Sequence, residues 1–180
     1  SMNFNVRKID KNLYSNDGVK LPFKDISENE REITLISGLG FMSGISEEEF
    51  APAVPVTRAE FALSLYIMAG SPDFEITDKA FSDVDGDTAG AAAISYLKYK
   101  GITNGFGDGT FQPYNFITRQ EAAYMTARFL GFDAVGSEEG MIGKTGLLNG
   151  TGDEKYLRRG KMAKLLYNAV TGKYVARDLE

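Results

Sequence analysis

Three arginines, Arg58, Arg119 and Arg159, recur at the opening of apolar runs, and a guanidinium fork there could grip a carboxylate or a hydroxyl-rich ligand. A helix start at the same place would add partial positive charge. Each arginine is equally able to pair with an acid of a neighbouring segment, so a ligand contact and an intramolecular ion pair both stand. The residues around the first two arginines have another duty. Thr57 with Glu60, and Thr118 with Glu121, have the spacing of a capping box: the hydroxyl accepts from a backbone N–H of the first turn and the carboxylate reaches back. In the third segment Arg158 and Lys161 stand in those places, and only the arginine between them persists.

Other charged residues suggest weaker chemistry. Gly105-Phe106-Gly107-Asp108-Gly109 contains an Asp-Gly turn. It follows a helical run and precedes no Gly-Lys-Ser/Thr, so it is expected to present Asp108 near the next helix and not to cradle phosphate. Asp83-Val84-Asp85-Gly86-Asp87-Thr88 places acids as a calcium loop would, but glycine and the distal acid are missing from their required positions. A solvated, helix-capping turn is expected there, and Glu47-Glu48-Glu49 reads as a solvated loop. Lys155, Arg158, Arg159, Lys161 and Lys164 form a small basic cluster that could assist an anionic ligand.

Composition excludes several function classes. The 180 residues contain no His and no Cys, which removes the usual general base near neutral pH, thiol nucleophiles, disulfides and thiolate zinc sites. No metal or cofactor is expected. Twenty Lys+Arg against 25 Asp+Glu give a net charge of −5, contrary to what nucleic acid or an anionic membrane surface requires. No apolar run reaches the length of a membrane span, and paired carboxylates at a defined separation are not fixed by any motif.

The elements that position these residues come in repeats. Gly40 to Glu60 matches Gly101 to Glu121 at a constant shift of 61 residues. A third copy is worn: Gly146 to Asp153 matches Gly101 to Asp108 at a shift of 45, and Leu157 to Ala163 matches Ile117 to Ala123 at a shift of 40. The residues lost between them remove Phe-x-Pro, which elsewhere is Phe50-Ala51-Pro52 and Phe111-Gln112-Pro113 and should anchor its loop to the core. Each unit reads as helix, glycine turn, loop, helix, with first helices at Glu30 to Leu39 and Ala89 to Lys100 and second helices near 57–69, 118–130 and 158–170. Phe61 to Ala69 is apolar except for Ser64, so that helix should be buried on most sides. Ala62, Ala123 and Ala163 head one face that should pack the three second helices together. The expected division is an N-terminal arm at 1–22 with a turn at Asn16-Asp17-Gly18, units at 23–80, 81–132 and 133–176, and a tail at 177–180. Ser1 ahead of Met2 suggests a trimmed start without a signal peptide, and the charged end suggests continuation into a longer protein.

Phe81-Ser82-Asp83-Val84, a helix ending Gly101-Ile102-Thr103-Asn104-Gly105, Phe111-Gln112-Pro113 and Ile117-Thr118-Arg119-Gln120-Glu121 together resemble the S-layer homology (SLH) domain. The resemblance is strong in unit two, good in unit one and partial in unit three. It implies a mostly helical, all-α body in which three units have pseudo-threefold order around a central three-helix bundle. It also implies an exported, extracellular protein anchored without covalent bonds to the bacterial cell wall. The partner would be secondary cell-wall polysaccharide, often bearing pyruvylated amino sugars, held in grooves between units. Other surface-layer proteins are further candidate partners. Carried over, the resemblance implies Arg58 and Arg119 as glycan contacts and Arg159 as their partial counterpart, with Asp108, Glu47 and Asp153 at the Asp-Gly turn position. The chain departs from the family in lacking the tryptophan after Phe-x-Asp-Val, in replacing the turn in unit one with Ser46-Glu47-Glu48, and in carrying Lys161 for glutamate. The competing expectation is a structural or protein-interaction module that keeps the fold without binding glycan.

Overall fold

A computed structural model describes residues 21–75, 78–132 and 138–172. The expected arm with its Asn16-Asp17-Gly18 turn lies outside the described residues except for Leu21 and Pro22, as do the tail and most of Phe132-Asp133-Ala134-Val135. Among the described residues the secondary structure is helical, without strands: α1 (Glu30–Gly38), α2 (Arg58–Met68), α3 (Ala91–Tyr99), α4 (Arg119–Phe129), α5 (Glu138–Thr145) and α6 (Arg159–Thr171). The all-α expectation holds, and the positions of α1 to α4 and α6 agree with the sequence reading to within two residues.

Glycine ends each first helix for a steric reason. Gly40, Gly101 and Gly146 follow α1, α3 and α5 with φ of 79°, 72° and 70°, a left-handed conformation that costs a side chain and that glycine adopts freely. The next glycine is fixed by space. A Cβ on Gly44 or Gly105 would strike the ring of Phe23 or Phe81, respectively, so each unit's opening phenylalanine packs against bare backbone.

The helices pair across units. α3 packs on α2, α5 on α4 and α1 on α6, so each unit's second helix is covered by the first helix of the next, and α1 closes the circuit. α4 also touches both α2 and α6, and the three alanines Ala62, Ala123 and Ala163 are completely buried where the second helices approach. The helix entries are tied in the same cyclic sense. The Val56 N–H donates to the Leu157 carbonyl at 2.9 Å, Leu157 to Ile117 at 3.1 Å, and Ile117 to Val56 at 2.9 Å. Short bridges between Thr57 and Phe116, Thr118 and Tyr156, and Pro55 and Arg158 flank this ring. Phe50, Phe61, Leu65 and Phe111 are wholly enclosed, each burial stabilising the fold by about 1.5–3 kcal/mol.

Two local expectations need correcting. α2 is less enclosed than its apolar sequence suggests, because Leu63 is exposed while Ser64 is buried, its hydroxyl donating to the Phe41 carbonyl at 2.7 Å. The turn before α3 is solvated as expected, with Asp85 accepting from the Asp87 N–H at 3.1 Å, but Gly90 holds the N-cap position without a side-chain cap.

Candidate functional site

The arginines stand at the joints between units, and the structure treats them unequally. Arg58 opens α2 and is 4% exposed. Its Nε donates to the Phe111 carbonyl at 2.8 Å, its Nη1 pairs with Glu121, and its guanidinium carbon lies 4.6 Å and 4.7 Å from the ring centroids of Phe106 and Phe111. Arg159 opens α6 and is 8% exposed. Its Nε donates to the Phe50 carbonyl at 2.9 Å, its Nη1 to Glu60 at 3.3 Å and its Nη2 to the Ser43 carbonyl, and it lies over the Phe50 ring. Each is a strut into the adjoining unit. Burial pushes both guanidinium groups below their ordinary pKa, and the facing acids push back: Glu121 and Asp83 on Arg58, Glu60 and Asp25 on Arg159. The outward-facing glycan contact expected of these two arginines is therefore not what their geometry offers. They adopt the ion pair with a neighbouring unit.

Arg119 is the exception. It is half-buried, and its side-chain hydrogen bond among the described residues goes from Nη1 to the Thr151 hydroxyl at 3.2 Å, with no carboxylate in ion-pair range. The reason lies in the order of hand-over. Arg58 meets the third residue of α4, Glu121, and Arg159 meets the third residue of α2, Glu60. The third residue of α6 is Lys161, which is itself half-buried and without an ion pair among the described residues. The shortened loop of unit three has also lost the phenylalanine carbonyl that an arginine Nε would take. Arg119 thus stands at the unit-two to unit-three boundary without a carboxylate partner among the described residues.

The first backbone donors of these helices are not free for a ligand either. The Arg58 N–H donates to the Asn115 carbonyl, Arg119 to Lys155 and Arg159 to Val54, at 2.8–2.9 Å, so these first donors are satisfied by the next unit's loop. Capping is complete at α4, where Thr118 and Glu121 exchange both bonds at 3.0 Å. At α2, Thr57 accepts from the Glu60 N–H, but the Glu60 carboxylate bonds the Thr57 hydroxyl and not its backbone N–H. Arg158 at the head of α6 makes no cap, and its Nε goes to Glu154 at 2.7 Å.

A groove of about 450 Å³ runs between units one and three. Asp153, Tyr156, Arg158 and Lys161 form one wall, and Asp25, Glu28 and Asn29 are among the residues of the other. Of the Asp-Gly turn positions, Asp153 lines this groove. Asp108 is exposed on its own turn, its carboxylate accepting from the Thr110 hydroxyl at 2.7 Å and backbone at 3.0 Å, which lower its pKa. Glu47 is exposed in the unit-one loop. These three acids and the three arginines are thus spread over several joints and do not converge on one site.

Sequence reasoning missed the aspartate of Phe-x-Asp. Asp25 accepts from the N–H groups of Phe50 at 3.0 Å and Ala51 at 2.8 Å, and Asp83 from Phe111 and Gln112, both at 2.8 Å. Each carboxylate clamps the Phe-x-Pro loop, where Ala51 and Gln112 are both left-handed at φ 58°. Such a conformation costs a non-glycine residue free energy, and the clamp holds it. The signal was the joint recurrence of Phe-x-Asp and Phe-x-Pro in units one and two.

Fold and site together define a helical repeat module whose charged groups sit at the joints between units and along one groove. The S-layer homology domain family matches residues 22–62 and 80–123, and through these two repeats the chain belongs to that family. It is 28% identical over 156 residues to the middle cell wall protein of Brevibacillus brevis, covering 80% of this chain and 15% of the relative. It is 26% identical to a cell surface protein of Thermoanaerobacter kivui, covering 83% of this chain and 21% of that protein. It is 32% identical to a cellulosome-anchoring protein of Acetivibrio thermocellus, covering 65% of this chain and 27% of the relative. The chain therefore spans about a quarter or less of these relatives' lengths. Among the described residues no helix is long and apolar enough to cross a membrane.

Proposed function

We propose that this chain is the wall-binding module of a longer, exported cell-surface protein, and that it anchors that protein non-covalently by holding an acidic secondary cell-wall polysaccharide. The names of its relatives, a cell wall protein, a cell surface protein and a cellulosome-anchoring protein, support the anchoring role. The third unit is read as a worn S-layer homology repeat, and it is the unit that makes the site. The observation that carries the reading is Arg119, which lacks the carboxylate that its two counterparts have, beside the joint where Lys161 replaces glutamate. A sugar-borne carboxylate, such as a pyruvate ketal, supplies the missing negative partner, and Arg119 and Lys161 bind it as charge-assisted donors. Asp153 in the groove wall accepts from sugar hydroxyls. Arg58 and Arg159 hold the joints in shape, while Asp108 and Glu47 stay peripheral.

A second reading, a structural or protein-interaction module without glycan, is favoured by the neutralisation of Arg58 and Arg159 and by the absence of tryptophan from the sequence. Sedimentation with purified sacculi separates the two. Retention on walls that keep their secondary polymer, and its loss on walls stripped of it, is expected; equal retention on stripped walls contradicts the glycan reading.

A further inference from the structure

The end of the molecule where the three helix entries meet carries an aromatic pair that the account above does not use. Phe116 and Tyr156 occupy matching positions, each one residue before a member of the cyclic backbone ring. Phe116 is 50% exposed and Tyr156 45%. Single exposed apolar residues are ordinary on a protein surface, but an adjoining group is not. The two rings lie edge to face, with centroids 6.4 Å apart and planes at 70°. Their backbones are pinned, since Phe116 pairs with Thr57 and Tyr156 with Thr118, and Ile117 and Leu157 beside them are buried. Tyr156 is also part of the groove wall that includes Asp153, Arg158 and Lys161. The Lys155 ammonium lies 5.2 Å from the Tyr156 ring centroid.

We infer that Tyr156, braced at its edge by Phe116, is a stacking platform for a pyranose ring of the bound polysaccharide, with Lys155, which lies over the ring, moving aside to meet the sugar's acidic substituent. The assignment rests on the wall-polysaccharide reading above. An aromatic face carries negative potential and attracts the weakly positive C–H face of a pyranose, while the sugar's hydroxyls stay in water. The mixed charge of the site selects this occupant over an apolar protein surface. Lys155 above the ring meets a ligand that is apolar on one face and anionic at its edge, while Asp25, Glu28 and Asp153 of the adjoining groove are acceptors for sugar hydroxyls. The exposed lysine side chain can yield the ring face to the sugar while keeping its charge beside it. The rings stand on hydrogen-bonded backbone, so little conformational freedom is lost on binding.

Calorimetry with purified acidic wall polysaccharide tests this on the whole chain, with circular dichroism confirming the fold of each variant. Tyr156→Ala is expected to weaken binding about tenfold, and Tyr156→Phe to stay within about twofold of the parent, because stacking needs the ring and not the hydroxyl. Phe116→Ala should give a smaller loss. Parent-like binding by Tyr156→Ala overturns the platform and leaves the polysaccharide reading intact. A loss as large for Tyr156→Phe as for Tyr156→Ala overturns it in favour of a hydroxyl contact. No binding by the parent overturns both, and a parent dimer that Tyr156→Ala dissociates assigns the patch to self-association instead.

Discussion

Arg58 and Arg119 are the same residue at the same helix position, yet their surroundings give them opposite roles. Removing Arg58 strips Glu121 of its partner, leaves the Phe111 carbonyl without its donor and empties the space between two rings. Breaking a buried pair from one side costs on the order of 3 kcal/mol. Arg119 gives up one hydrogen bond to a threonine, a loss of about 1 kcal/mol or less. Urea unfolding should therefore show Arg58→Ala strongly destabilised and Arg119→Ala close to the parent, while retention on sacculi ranks them in reverse. The recurrence of the arginines and both of their possible roles were legible in the sequence. Which role each took was not, because spacing along one unit says nothing of the acid or the lysine that the next unit brings to the joint.

At the scale of elements, the helices and their glycine stops could be read from the chain because the 61-residue shift and the left-handed stop are local signals. The loop clamps could not, since each joins residues about 25 positions apart through backbone N–H groups that no residue type announces. The clamp predicts an acid response. Burial raises the Asp25 carboxyl, but the N–H groups of Phe50 and Ala51, with Arg159 beyond, outweigh it and leave the pKa below the usual aspartate value of 3.8. A carboxylate depressed in the folded state stabilises it above the unfolded pKa and ceases to do so as pH falls through the folded one. Asp25→Asn should thus be less stable than the parent at neutral pH, with the gap narrowing below about pH 4 in urea titrations. A gap independent of pH would contradict the clamp. Thr57 and Thr118 illustrate a finer point: both match one cap motif and both glutamates give their other oxygen to an arginine, but only Thr118 closes the box, because Glu121 reaches the Thr118 N–H whereas Glu60 reaches the Thr57 hydroxyl.

Across the whole molecule, three units form a circuit in which each second helix is covered by the next first helix, with α1 on α6 as the closing contact. Two of the three joints carry an internal arginine–glutamate pair, and the third carries Arg119 and Lys161 in the corresponding places. The joint between unit two and the worn unit is therefore the one without an internal arginine–glutamate pair among the described residues, which is the central claim of the account. It is tested most directly by measuring sacculus retention and melting temperature of Lys161→Glu beside the parent. The substitution gives Arg119 the acid that its counterparts have and places a negative charge in the first turn of α6, a gain of about 1 kcal/mol. The account predicts a higher melting temperature together with lost retention. A stabilised Lys161→Glu that still binds the wall as the parent does would contradict it.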